Sequence, residues 1–268
     1  MNTARMSVAL FVTVAFASSS LAAEYGTMQG RYQGSIRGTG SQGGFAHKFW
    51  RGSGDSNNWY VNHVHGGATS QANATVVYTF CTDASILNGT QSTYHMIDTA
   101  QAPYQGNDYG ATRAKNLNSV MLTLKAMGIV NDRGFLKGVF ASSAASSNVT
   151  FTIGANTLTS TIANWVQGAQ RLIWDALDVN TQSHTSTANM IHRFMTNNTG
   201  NQNQDNFANS IYANAANVTR VLGVETSGGN GQDMVTMIPL PPSAYAGMGT
   251  LVALLGLGYI RRRKLAAI

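Results

Sequence analysis

The chain has 268 residues, with 17 Lys and Arg against 11 Asp and Glu for a formal net charge of +6, and charged residues make up only 10% of it. Five of the 17 basic residues, Arg5, Arg261, Arg262, Arg263 and Lys264, sit at the two ends, so residues 24–260 carry 12 against 11, a net charge of +1. That body has no basic excess to suggest a nucleic-acid partner, and its length allows one domain with a real core, in one or two lobes.

At the start of the chain, Arg5 precedes an apolar run at residues 8–17, and small residues follow at Ser20, Ala22 and Ala23. This is the layout of a secretory signal peptide ending at residue 23, and its apolar core is too short to span a bilayer. Strands are expected at residues 32–37, 45–50, 59–64 and 75–81. The last is rich in β-branched and aromatic residues and ends on Phe80 and Cys81. In the third, His63 and His65 fall on one face. No further ligand stands at a useful spacing, so a solvated strand face is expected, with no metal and no cofactor. The glycines of residues 38–44 and 228–231 are too irregular for a phosphate loop and are expected in a loop and a linker.

Residues 112–127 form a helix pattern with Leu117, Met121 and Leu124 on one stripe, and residues 148–153 form a strand pattern. Residues 165–174 read as an amphipathic helix with Val166, Ala169 and Ile173 on one face. A polar, helix-prone region follows, with apolar points that include Met190, Ile191, Phe194 and Phe207. A last strand is expected at residues 218–224, and a linker at 227–238 closes the body of residues 24–226. Runs of strands and runs of helices without βαβ alternation predict an α+β fold.

The tail has its own pattern. Pro239, Leu240, Pro241 and Pro242 lead into the uncharged stretch 244–260, which stops at Arg261, Arg262, Arg263 and Lys264. About 17 uncharged residues just suffice for one transmembrane helix, and the basic cluster would stay on the cytoplasmic side. This arrangement resembles the C-terminal sorting signals of the PEP-CTERM class, in the variants built around Pro-Leu-Pro. The resemblance implies an exosortase-type enzyme as partner, a transient stay in the inner membrane, and a final place at the cell surface, in the outer envelope or in the extracellular matrix. A plain C-terminal membrane anchor is the alternative.

Cys81 is the single cysteine of the chain. In an exported protein it has no internal partner for a disulfide, so it is either a small buried hydrophobe or a functional thiol. Phe80-Cys81 at a strand end, with Gln170, Ile173 and Trp174 in a downstream helix as Gln-x-x-Ile-Trp, resembles the thioester domains of bacterial surface adhesins. The same pair recurs in proteins that carry PEP-CTERM tails. The resemblance implies a β-rich sandwich or barrel-like lobe bearing the cysteine and a helical lobe packed beside it. It also implies an internal thioester between Cys81 and Gln170, used once to link the protein to a surface amine or hydroxyl. Phe80, Trp165 and Trp174 are expected to keep water from the bond. Asp83 could orient the thiol or serve a turn.

Two functions follow. The chain is an exported surface or matrix protein with a covalent thioester attachment, or a non-reactive structural protein of the same fold associated with polysaccharide. An enzyme is poorly supported, because no acid-base pair or nucleophile-His arrangement stands out.

Overall fold

The structure, a computed structural model of the chain, describes residues 24–39, 42–82, 91–99, 103–104, 107–108, 110–179, 185–196, 219–226 and 233–239. The expected leader, Asp83, Phe207, Leu240, Pro241, Pro242 and the stretch 244–268 with its basic cluster lie outside the described residues. Among the described residues no helix is long and apolar enough to cross a membrane.

The elements in chain order are β1 (Glu24–Thr39), β2 (Gln42–Trp50), α1 (Trp59–His65), β3 (Val76–Cys81), β4 (Gln91–Asp98), β5 (Pro103–Tyr104), β6 (Asn107–Asp108), α2 (Gly110–Ala126), α3 (Val139–Ser142), β7 (Asn148–Ile153), β8 (Asn156–Thr161), α4 (Ile162–Leu177), α5 (Ser186–Thr196), β9 (Thr219–Thr226) and β10 (Met234–Pro239). The fold is therefore mixed α and β. Six strands close an antiparallel barrel in the order β1-β2-β3-β10-β9-β4, with β4 paired back onto β1. Closure satisfies the backbone groups that an open sheet would expose at its edges. The long β1 serves both β2 and β4, and its register against β2 shifts between Tyr32 and Ile36. Such a bulge lets a long strand bend around a barrel.

Three expectations need correction. Residues 59–64 are not a strand but belong to helix α1. The aromatic and β-branched residues there suggested a strand, but the caps decide otherwise: the Asn58 side chain accepts from the Val61 N–H, and Gly66, left-handed at φ 65°, closes the other end on the Asn62 carbonyl. In a helix, residues two apart point about 200° away from each other, so His63 and His65 share no face. His63 stacks on Trp59 with 5.3 Å between ring centroids, while His65 is buried and its Nδ1 accepts from the Gly67 N–H.

Second, the linker of residues 227–238 gives way at 234–238 to β10, which pairs with β3 through Met234 and Cys81 and with β9 from Met234 to Pro239. Residues 234–238 are all buried, as expected of a strand covered on both faces. The barrel thus ends on Pro239, the first residue of the expected sorting motif. Third, the glycines of residues 38–44 are strand residues in part, with Gly38 opposite Gly43 and Arg37 opposite Gly44. An added Cβ on Gly38 would meet the Gln42 carbonyl oxygen at 1.9 Å, so only glycine fits.

The core has two parts. One cluster joins the interior strand residues Met28, Phe45, Phe49, Cys81, Tyr94, Met96 and Met234 with Val61 and Val64 of α1 and with Trp174 of α4. The other lies among the helices, joining Leu117, Val120, Met121 and Leu124 of α2 to Trp165, Val166, Leu172 and Ile173 of α4 and to Ile191 of α5, with Phe80 and Val235 from the barrel wall.

Helix α4 touches both clusters, and its contact with α5 is close. A Cβ on Gly168 would stand 2.5 Å from the Thr187 hydroxyl and 2.7 Å from the Ala188 nitrogen. Gly168→Ala gains up to about 1 kcal/mol of helix propensity, but overpacking typically costs about 1–3 kcal/mol, and here backbone must move. A net loss of stability is expected, read as a lowered denaturation midpoint in urea. An unchanged or raised midpoint would mean that α5 yields freely.

Candidate functional site

Strand β3 delivers Cys81 and helix α4 delivers Gln170. Along β3 burial rises toward the end, with Thr79, Phe80 and Cys81 all buried. Alternation along the strand separates neighbours. Phe80, opposite Val235, faces the helical cluster, and Cys81, opposite Met234, belongs to the cluster inside the barrel.

Helix α4 starts on Thr161, whose hydroxyl accepts from the Asn164 N–H, and stops at Asp178, a left-handed residue at φ 59°. Asp178 is tied to α2 by the Arg113 ion pair at 2.9 Å. Eleven of its 16 residues are buried, Gln170 among them. A helix buried on most sides needs an internal partner for any amide it carries.

That partner is Cys81. The ladder between β2 and β3 ends at the Phe45–Thr79 pair, two residues short of Cys81. The Gln170 side chain stands where a further partner residue would: the Cys81 N–H donates to Oε1 at 3.0 Å, and Nε2 donates to the Cys81 carbonyl at 2.7 Å. Both residues have 0% exposure. Two residues 89 positions apart are thus paired through an amide on one side and the peptide of the cysteine on the other. Gln167, on the same helix, instead donates to the Gln42 side chain. The Gln-x-x-Ile-Trp spacing therefore selected the glutamine that meets the cysteine.

The three expected shielding aromatics are placed differently. Trp174 is 5% exposed and shares the cluster of Cys81. Phe80 and Trp165 are fully buried but belong to the helical cluster, where Trp165 meets Phe151 edge-on at 4.8 Å and donates from Nε1 to the Val149 carbonyl. The buried cluster that contains Cys81 and Trp174 also holds Met234, Met28 and Met96, which periodicity alone did not single out.

Another residue missed in the sequence is His47. It lies inside the barrel at 1% exposure, with Nδ1 3.1 Å from the Phe45 carbonyl and 3.2 Å from the Thr79 hydroxyl. The Thr79 hydroxyl also reaches the Met234 sulfur at 3.2 Å, so the line of contacts runs to the strand pair that holds Cys81. Burial pushes the His47 pKa down to about 4, only partly opposed by its bond to the Phe45 carbonyl, so the ring is neutral at pH 7.

No group of three or more His, Cys, Asp or Glu able to hold a metal stands among the described residues. A pocket of about 260 Å³ opens at the C-terminal end of α1, lined by His65, Arg133, Asn73 and Val77 among others. Neither Cys81 nor Gln170 lines it. Comparison with protein-family models, with curated proteins and with solved structures finds no match.

Proposed function

We propose that this chain is an exported surface or matrix protein, sorted through its C-terminal tail by an exosortase-type enzyme. In this reading its β-rich and helical parts together hold an internal thioester between Cys81 and Gln170. The observation that carries the reading is the buried pairing of the Gln170 amide with the Cys81 peptide. An amide is a poor acyl donor, and a thiol adds to it only when the two are held together and the developing oxyanion is stabilised. Here the oxygen that would carry that charge, Oε1, already accepts from the Cys81 N–H. The Cys81 sulfur bonds to the Gln170 amide carbon, the carbon-nitrogen bond breaks, and nitrogen leaves as ammonia with the thiol proton.

Full burial keeps water from the bond until a partner amine or hydroxyl reaches it. The nucleophile then takes the acyl group, the carbon-sulfur bond breaks, and Cys81 regains a thiol. The link to the partner is covalent and made once. In this reading the leader, the proline motif and the uncharged stretch 244–260 with its following arginines are the export and sorting signals, and the chemistry acts outside the cell, at the surface or in a polysaccharide layer.

The second reading, a non-reactive structural protein, is favoured by one feature: both ends of the Gln170 amide are satisfied, which is also the mark of a buried structural glutamine. The intact mass of the protein recovered from the envelope or medium separates the two. The expected mass lacks residues 1–23, lacks the tail beyond the proline motif, and is one ammonia short. Methylamine should add at Gln170, and Cys81→Ala, which keeps the main-chain bonds to Gln170, should fold, show the full amide mass and take up no amine. A full amide mass with no amine uptake in the wild type would leave the structural reading. A retained tail would leave a plain membrane anchor.

A further inference from the structure

Helix α4 carries two buried tryptophans with opposite bonding. Trp165 donates its indole N–H to the Val149 carbonyl. Trp174, 5% exposed, has a buried Nε1 with no hydrogen-bond partner among the described residues. A buried donor left idle costs about 1–3 kcal/mol, and native structures keep such groups for a reason. Trp174 lies one helical turn after Gln170, so the two side chains leave the same face of α4, and it belongs to the cluster that contains Cys81.

We propose that the Trp174 indole N–H is a second donor to the oxyanion of the Cys81–Gln170 site, acting beside the Cys81 N–H. A carbonyl oxygen has two acceptor positions, and the Cys81 N–H takes one on Oε1. A donor matched to charge that appears only during reaction stands unused in the resting protein, which is the condition of Trp174. The same oxygen carries the charge in both half-reactions. When the thiol attacks, electrons move to Oε1 and return as ammonia leaves. When an amine attacks the thioester, they move to Oε1 and return as the carbon-sulfur bond breaks and Cys81 takes up a proton. This rests on the thioester reading and adds to it a residue whose aromatic bulk alone would otherwise explain its place.

Trp174→Phe tests it, because a buried aromatic ring is kept while the N–H is lost with the pyrrole half of the indole, and Trp165→Phe removes the same atoms as a control for size. The full chain is expressed in an exporting host, and the secreted wild type and variant are measured side by side for intact mass, thermal melting and methylamine incorporation rate. Loss of one oxyanion donor costs on the order of 10²-fold in rate, so a fall of that size is expected in the variant with cooperative melting retained. Trp165→Phe, which loses a bonded N–H in the other cluster, should react with methylamine at the wild-type rate. A wild type with the ammonia deficit and a Trp174→Phe variant of equal methylamine rate would overturn the donor and leave the thioester. A wild type without the deficit would overturn both.

Discussion

Trp165→Ala is expected to lower the stability of the body by about 3–5 kcal/mol, the cost of emptying the site of a fully buried large aromatic. The side chain has 0% exposure, meets Phe151 edge-on at 4.8 Å and donates to the Val149 carbonyl. Its removal therefore opens a cavity between α4 and the β7–β8 hairpin and strands a main-chain acceptor as well. Because the residue sits in the helical cluster and not in that of Cys81, molecules that remain folded should keep any amine reactivity. Urea denaturation gives the first quantity and methylamine uptake at low temperature the second. A loss below about 1 kcal/mol would mean that the hairpin collapses onto the gap.

Acid is expected to weaken the barrel through His47. Its folded pKa of about 4 lies below the ordinary 6.5, so between these values the unfolded chain binds a proton that the folded one refuses. Stability contributed by the neutral ring is complete above pH 6.5 and falls as pH drops toward 4, by on the order of 3 kcal/mol in all. His63 and His65 are lowered too, burial being the largest cause for each, and act in the same direction. Denaturation midpoints measured from pH 7 to pH 4 should fall steadily. His47→Asn, which offers an amide N–H toward the Phe45 carbonyl without a titrating ring, should flatten that slope. An equal slope in the variant would assign the acid sensitivity to other groups.

The helices were legible where burial is one-sided or where spacing is strong. Residues 112–127 carry a clear stripe and appear as α2 at Gly110–Ala126, and the pattern at 165–174 lies within α4. The strands at 45–50 and 75–81 were legible from their β-branched and aromatic residues. Helix α1 was not, because Trp59, Tyr60 and Val61 favour a strand by composition while the Asn58 and Gly66 caps that settle the matter act through backbone geometry. Strand β4 was missed because Gln91, Ser92 and Thr93 give it a polar start, and its place is set by partners in β1 and β9 that are distant in sequence.

For the site, the sequence by itself determined the relations that lie within single elements: Cys81 closes a β-branched and aromatic strand pattern, and helical periodicity puts Trp174 on the face of Gln170. That Cys81 and Gln170 go together was named only through the resemblance carried by Phe80-Cys81 and Gln-x-x-Ile-Trp, because the two stand 89 positions apart in different elements. The barrel decided the rest. It drew residues 234–238 out of an expected linker and set Met234 against Cys81, stopped the β2 ladder short so that a side-chain amide could take its place, and sent Phe80 to the far side of the wall. It also enclosed His47 and left the Trp174 N–H without an acceptor among the described residues. These outcomes depend on which strands meet when the sheet closes, and long-range pairing leaves no periodic mark in the segments that it joins.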